Sequence, residues 1–182
     1  MSNELRVRTN KHLTILTNDP SITAWGYAVL KNNVVLSVGC IKTAPENKKS
    51  RIRKSDDTVR RISEINKILL GLIRTHGVDF ILSEAPHGSQ SASAAVMIGI
   101  VAGMVQTISD TLEIPVEWYS EMDSKKFVLG KKAAVKSEMI EAIKKLYDVP
   151  WKNIKYHDEA VADAIAVYHT AVGLSPTLKL LK

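Results

Sequence analysis

The stretch that decides the fold is "ILTNDPSITAWGYAVL", residues 15–30. Two apolar, β-rich runs lie on either side of a polar segment at residues 18–21, so the pattern predicts a strand, a turn and a second strand. Asp19 stands at the end of the first strand. A lone Asp-Pro pair is most often the start of a turn. An acid at a strand end can also be one ligand of a metal site. Whether Asp19 is a turn residue or a metal ligand depends on the other acids of the chain.

Length and composition predict one globular domain over residues 1–182, with a basic extension at 1–11 and a polar tail at 174–182. The chain is 45% hydrophobic and 24% charged. The single cysteine, Cys40, argues against a disulfide scaffold and against a cysteine-based zinc site, and it fits a reducing compartment. Because the first residues contain no apolar core, they do not form a secretory signal. We therefore expect a soluble, cytoplasmic protein.

The order of predicted elements is β-β-β-α-β-α-β-α-α. Strands are expected at 12–17, 24–30, 34–41, 78–83 and 115–119, and helices at 56–76, 91–112, 135–147 and 157–172. The lysine-rich stretch after the last strand is assigned no element. This order predicts an α/β fold with a mixed five-stranded sheet, in which three antiparallel hairpin strands and the parallel strands are flanked by helices.

The uncharged helix at 91–112 raises two questions. Its continuous apolar part, residues 94–105, is shorter than the roughly 20 residues that span a bilayer, so we expect a buried helix and no membrane. Ala95, Gly99 and Gly103 recur every four residues, which permits close approach of another backbone. The sequence leaves open whether that backbone is the protein's own sheet or a second copy of the chain.

Four acids are candidates for one metal site. Asp19 and Glu84 end predicted strands, and Glu159 and Asp163 lie four residues apart on one face of the alanine-rich last helix. Asp158 lies off that face, and its expected role is the N-cap of the helix. Buried carboxylates require neutralisation, which Mg²⁺ provides through oxygen ligands. Two such ions can activate a water and stabilise the leaving oxygen of a phosphodiester.

Basic residues cluster along the chain, which carries a net charge of +6 and has a pI of about 9.4. Such clusters are typical of proteins that bind a polyanion, although charge alone favours a solvated, lysine-rich surface. The first cluster contains Lys48, Lys49, Arg51, Arg53 and Lys54, and the second contains Lys125, Lys126, Lys131, Lys132 and Lys136.

Together these motifs resemble the RuvC family of Holliday-junction resolvases in the ribonuclease H-like superfamily. Asp19, Pro20 and Gly26 match the first motif, Glu84 in "SEAPHGSQSASAAVMIGIVAGMV" the second, and Asp163 in "ADAIAV" the last. Between the last two lies "KKFVLGKKAAVK", which is similar to the family's lysine-glycine-lysine segment. The resemblance implies that Lys125 and Lys136, which flank its glycine, are the two functional lysines.

Three positions depart from the family pattern. Ala160 stands where the family often has a fourth acid, and we take Glu159 as its substitute, with Asp158 as a weaker one. His87 stands where the family has an aromatic residue that helps to open the junction, and histidine stacks less strongly on a base. Lys132 replaces a glycine of the lysine-glycine segment, which suggests that this segment binds phosphate somewhat differently.

The resemblance implies a structure-selective DNA endonuclease that cuts four-way junctions and other branched DNA with paired symmetric nicks. It further implies a homodimer, two Mg²⁺ ions in each active site with Mn²⁺ as a substitute, and catalysis by Asp19, Glu84, Glu159, Asp163 and the two lysines. The expected setting is the cytoplasm of a bacterium or of a phage-infected host. The alternatives are a ribonuclease H-like nuclease for flaps, forks or RNA–DNA hybrids, and a non-catalytic protein that binds branched DNA.

Overall fold

The computed structural model describes residues 13–47, 51–89 and 91–180. The basic extension at 1–11 and the residues Lys48 and Lys49 lie outside these ranges. The strands are β1 (Thr14–Asp19), β2 (Ala24–Lys31), β3 (Val34–Lys42), β4 (Phe80–Glu84) and β5 (Val116–Tyr119). The helices are α1 (Lys54–His76), α2 (Ala92–Leu112), α3 (Glu121–Leu129), α4 (Lys136–Leu146), α5 (Lys155–Leu174) and α6 (Pro176–Leu180).

The predicted sheet is confirmed. Its five strands lie in the order β3-β2-β1-β4-β5. The first three strands pair antiparallel, while β4 runs parallel to both β1 and β5. The turn between β2 and β3 is made by Asn32 and Asn33, both at positive φ, a conformation typical of tight hairpin turns. Because β1 and β4 are parallel, their carboxyl ends meet at the same edge of the sheet.

Two hydrophobic cores lie on the two faces of the sheet. Leu16 of β1 packs into the core with α1 and α2, whereas Ile15 packs into the core with α4 and α5. Since successive strand residues point to opposite faces, Asp19 lies on the α5 face together with Ile15. In β4, Phe80 and Leu82 belong to the α5 core, so the same alternation places Glu84 on that face as well.

Helix α5 is held against the sheet at two points. Thr17 of β1 donates a hydrogen bond of 2.6 Å to the backbone carbonyl of Ala164. At Gly26 of β2, a Cβ atom would lie only 2.0 Å from the carbonyl oxygen of Ala160, so α5 approaches the strand more closely than any side chain would allow. The first motif therefore needs glycine at residue 26 because a helix backbone rests on it.

Two helices lie where the sequence predicted none. Helix α3 occupies the lysine-rich stretch, and it begins with a capping box in which Ser120 and Asp123 satisfy each other's backbone N–H groups. Helix α6 occupies part of the predicted polar tail. Helix α5 also begins earlier than predicted, with Ile154 as its N-cap, so the assignment of Asp158 as the N-cap was wrong.

Helix α2 is buried only in part, which corrects the expectation of a buried helix. Its buried residues are Val101, Val105, Ile108 and Ser109, and the three apolar ones join the core with α1. Among the helices in the described ranges, α2 alone is long and apolar enough to span a membrane by length and composition. The core contacts of its C-terminal half account for part of that apolar character.

Candidate active site

Three carboxylates from three elements meet at one edge of the sheet. Asp19 ends β1 and Glu84 ends β4, and the register that pairs Asn18 with Ser83 makes these two acids the next residues along the parallel strands. Asp163 comes from α5, one residue before the carbonyl that Thr17 holds. As predicted, the structure places these three acids together on the α5 face of the sheet.

Burial and neighbouring negative charges raise the pKa values of all three acids. Burial, with repulsion from Asp163, raises the pKa of Asp19 to about 7. Burial also raises the pKa of Glu84 to about 9, with further contributions from Asp19 and Asp163. The pKa of Asp163 is raised by burial, although the neighbouring Lys136 ammonium opposes the shift. The surroundings of the three acids therefore disfavour their ionised forms.

Lys136 brings a positive charge to this edge of the sheet. Its ammonium pairs with the carboxylate of Asp163, whose side chain is only 12% exposed, while the lysine side chain is 51% exposed. Burial lowers the pKa of Lys136, but attraction to Asp163, Asp19 and Glu84 outweighs burial and raises it. One ammonium thus offsets part of the charge of three carboxylates.

The donor atoms fit a hard divalent cation. Carboxylate oxygens are the ligands that Mg²⁺ prefers, and the raised pKa values show that the edge is short of positive charge. In the part of the chain that the structure describes, no group of three or more Asp, Glu, His or Cys side chains is close enough to hold a metal ion as it stands. The residues fit a cation in charge and donor type, and their side chains have to close around it.

A family model described as crossover junction endodeoxyribonuclease RuvC matches residues 15–170 of this chain. The chain belongs to this family. The matched segment contains Asp19, Glu84 and Asp163, as well as both predicted functional lysines.

Individual members of the RuvC family are similar over most of the chain. The crossover junction endodeoxyribonuclease RuvC of Shewanella woodyi is 26% identical over 164 residues, covering 88% of this chain and 89% of the relative. The RuvC of Shewanella pealeana is 27% identical over the same length.

Two solved structures share the fold. Thermus thermophilus RuvC, solved in complex with a Holliday junction substrate, superposes with a TM-score of 0.70 at 20% identity and covers 88% of this chain and 93% of its own. The yeast mitochondrial Holliday junction resolvase Ydc2 superposes with a TM-score of 0.61 at 14% identity, covering 94% and 83%. These likenesses confirm the ribonuclease H-like fold of the RuvC family.

In this RuvC-family chain, the carboxylate of Asp158 contacts other groups than the three acids. It is 6% exposed, and its carboxylate accepts the backbone N–H of Lys152 at 3.2 Å and contacts Nδ1 of His157 at 3.0 Å. Hydrogen bonds from His157 and Lys152 lower its pKa against the effect of burial. Asp158 therefore fixes the loop before α5 and is unsuited to be a metal ligand. Glu159 is partly exposed, and its negative charge raises the pKa of Asp163.

The predicted DNA-binding residues fall into two groups. His87, Lys125 and Lys136 lie beside the acids, where His87 and Lys125 both pair with Glu121. The exposed residues Lys126, Lys131 and Lys132 follow on the same segment. Arg51, Arg53 and Lys54 lie before and at the start of α1 instead, and Lys54 donates to Ser93 of α2.

Glu121 is the residue of this edge that the sequence analysis missed. Its charge contributes to the raised pKa of Asp19, Glu84 and Asp163. The signal that could have found it is local: Ser120 and Asp123 form the start of a capping box, and a helix beginning there sets Glu121 two residues beyond β5. The absence of a predicted helix concealed it.

Proposed function

We propose that this RuvC-family chain is a Mg²⁺-dependent endonuclease that resolves Holliday junctions, and other branched DNA, by paired symmetric nicks. The observation that carries the proposal is the meeting of Asp19, Glu84 and Asp163 at one sheet edge, with a lysine ammonium paired to Asp163. The name and substrate of the Thermus structure support the choice of a four-way junction over other branched DNA.

The three acids are the proposed ligands for the cations, with Glu159 as the fourth. Two bound Mg²⁺ ions, or Mn²⁺ in their place, supply Lewis-acid stabilisation of the attacking and leaving oxygens of the phosphodiester. The chain's own part is to hold its carboxylates on rigid elements: Asp19 and Glu84 on neighbouring strands, and Asp163 on a helix that Thr17 and Gly26 keep close to the sheet. Asp163 and Glu159 share a face of that helix.

Lys125 and Lys136 are the proposed phosphate ligands. In the structure each ammonium is paired with a carboxylate, Lys125 with Glu121 at 2.6 Å and Lys136 with Asp163. A cation bound by Asp163 would compete with Lys136 for that carboxylate, which would free the ammonium for a backbone phosphate. The developing negative charge on that phosphate is what a lysine in this position can stabilise.

The remaining basic residues are proposed to bind the duplex arms of the junction. Lys126, Lys131 and Lys132 are exposed beside the site, although Lys131 also pairs with Glu138 at 2.5 Å. The cluster that runs into α1, with Lys48 and Lys49 outside the described residues, would contact a flanking duplex. Because such contacts release counterions, binding should weaken steeply with salt.

A homodimer is proposed because two symmetric cuts need two sites. The stripe of Ala95, Gly99 and Gly103 is exposed, and nothing lies within 4 Å of a Cβ built on either glycine. Packing of this stripe against the protein's own sheet is therefore excluded in the structure. Beside it, Val96 and Val59 line an apolar groove of about 600 Å³ between α1 and α2, which a two-fold related copy can cover.

The test is cleavage of a synthetic four-way junction with Mg²⁺, run beside flap, fork and RNA–DNA hybrid substrates. Wild type should nick the junction fastest, at symmetric positions. Asp19→Asn should abolish cleavage and retain junction binding measured without divalent cation. Asp148→Asn, an exposed aspartate beyond α4, is the matched control and should cleave normally.

Each of the other possible results of these experiments would contradict one part of the proposal. Retained cleavage by Asp19→Asn would remove Asp19 from the site. Faster cleavage of flaps, forks or hybrids would replace the junction as substrate, and a complete absence of Mg²⁺-dependent nicking would leave a non-catalytic DNA-binding protein. A monomeric mass by light scattering, with and without junction DNA, would refute the dimer.

A further inference from the structure

Glu121 begins helix α3 at the edge where the three acids meet. Strand β5 runs parallel to β4, with Tyr119 opposite Glu84, and the backbone N–H of Ala85 donates to the Tyr119 carbonyl at 2.7 Å. The capping box at Ser120 then turns the chain directly into the helix. Glu121 is thus set by two rigid elements, two residues beyond the strand that neighbours Glu84.

Both carboxylate oxygens of Glu121 are engaged with functional candidates. Oε1 lies 2.6 Å from the Nζ atom of Lys125, and Oε2 lies 3.0 Å from Nε2 of His87. Lys125 is on α3, whereas His87 is on the loop that follows β4. The carboxylate therefore ties the loop after one catalytic strand to the helix that carries a predicted phosphate ligand, and it is only 33% exposed.

The cations around Glu121 stabilise its charge: the hydrogen bond from Lys125, with attraction to Lys125, His87 and Lys136, outweighs burial and holds the pKa of its carboxyl below the usual value. Its negative charge adds to the repulsion that raises the pKa of Asp19, Glu84 and Asp163. An isolated Glu–Lys pair three or four residues apart on a helix contributes only a few tenths of a kcal/mol, and such a pair could be formed anywhere on the surface. The Glu141–Lys144 pair of α4, at 3.0 Å and with the glutamate 63% exposed, is a pair of that ordinary kind.

We propose that Glu121 is a positioning residue, whose carboxylate holds the Lys125 ammonium and the His87 imidazole together beside the catalytic acids. The proposal rests on the proposed function for the identity of the DNA that these two side chains meet. Held in this way, Lys125 is presented to the phosphate of the strand to be cut. His87 is presented to the branch point, although its ring stacks less strongly than a larger aromatic residue.

The decisive variant is Glu121→Gln, which keeps the size of the side chain but cannot accept hydrogen bonds with both terminal atoms. We expect single-turnover cleavage to fall by between about 10-fold and 100-fold, as for other displacements of about 1 Å at an active site. Junction binding without divalent cation should not weaken, because the substitution removes a negative charge near the DNA phosphates. Glu141→Gln removes the same charge from an ordinary helix pair and should leave both quantities unchanged.

A double-mutant cycle separates positioning from a purely electrostatic effect. If Glu121 acts through Lys125, Glu121→Gln should slow Lys125→Ala much less than it slows wild type. The proposal would be overturned if the two substitutions lowered the cleavage rate by independent factors. It would also be overturned if Glu121→Gln cleaved at the wild-type rate. Weaker junction binding with an unchanged cleavage rate would also overturn it, since that is the pattern of a DNA-contact residue.

A measurement on the free protein keeps the inference independent of the substrate. Side-chain NMR relaxation should show an ordered Lys125 side chain in wild type and in Glu141→Gln, and a disordered one in Glu121→Gln. An equally ordered Lys125 in the Glu121→Gln variant would refute the positioning contact. If wild type cuts no branched DNA, the proposed function fails, and the NMR result still decides whether Glu121 holds the lysine.

Discussion

Substitution of Gly26 by alanine tests the close contact between β2 and α5 beside the three acids. The new Cβ would lie 2.0 Å from the carbonyl oxygen of Ala160 and 2.5 Å from its carbonyl carbon. Ordinary contact begins at 3.4 Å, so α5 and β2 have to separate by about 1.4 Å at this point. The obstacle is backbone, and it cannot rotate away as a side chain could.

The displacement reaches two of the three acids, because Asp163 lies on α5 and Asp19 lies on β1, the strand paired with β2. Gly26 is the register partner of Asp19, and Asp163 follows Ala160 by one turn of α5. Overpacking of this kind costs about 1–3 kcal/mol of unfolding free energy. A misplacement of about 1 Å lowers an enzymatic rate by roughly 100-fold, so Gly26→Ala should lose both stability and junction cleavage.

The assay is chemical denaturation together with single-turnover cleavage of a four-way junction. Gly71→Ala is the matched control, because Gly71 lies exposed inside α1 with nothing within 4 Å of a built Cβ. That variant should gain about 0.5–1 kcal/mol of stability and cleave normally. Wild-type behaviour of Gly26→Ala would refute the reasoning, and lost stability with an unchanged rate would show that this contact does not set the distance between the acids.

Three further predictions follow from the same geometry. In EDTA, unfolding free energy should fall between about pH 4 and pH 9, because the folded protein keeps protons on Asp19 (pKa about 7) and Glu84 (pKa about 9) that the unfolded chain releases from ordinary values of 3.8 and 4.5; a denaturation series that is flat or rises with pH would contradict this. Thr17→Val should cost about 1 kcal/mol, measured by denaturation, because it removes the hydrogen bond to α5, and an unchanged stability would show that this bond does not hold the helix. Val96→Glu should shift the mass seen by light scattering to that of a monomer, whereas Val34→Glu, at a similarly exposed valine, should not; a dimer in both would move the interface away from α2.

The sheet could be predicted from the sequence because its strands carry their signals locally. The apolar run before Asp19 and the turn at residues 31–33 predict strands wherever they occur, and the order of elements then leaves few topologies. The helix that follows β5 lacks such a signal, since Phe127, Val128 and Leu129 are consecutive rather than spaced at the helical period. Its capping box at Ser120 and Asp123 was the available indication.

Questions of what a side chain faces could not be answered from one sequence. Residues Ala95, Gly99 and Gly103 are equally compatible with a buried and an exposed stripe, and only the packing of Val101 and Val105 shows which face of α2 the sheet takes. Asp158 and Glu159 present a similar case. Both are acids at the start of one helix, but the loop before α5 folds back so that Lys152 donates to Asp158 and removes it from the candidates.

The charge balance of the edge bears on the proposed cation site, where Ala160 stands at a position at which the family often has a fourth acid. Ala160 supplies no carboxylate, and its backbone is instead the surface on which Gly26 rests. Asp19, Glu84 and Asp163 with the Lys136 ammonium leave two net negative charges when all are ionised, the charge that one divalent cation neutralises. Counted together with its partner Lys125, Glu121 adds no net charge, although it raises the pKa of the three acids. A second cation would therefore need charge from Glu159 or from the DNA phosphate itself, so its binding should depend more strongly on DNA than the binding of the first.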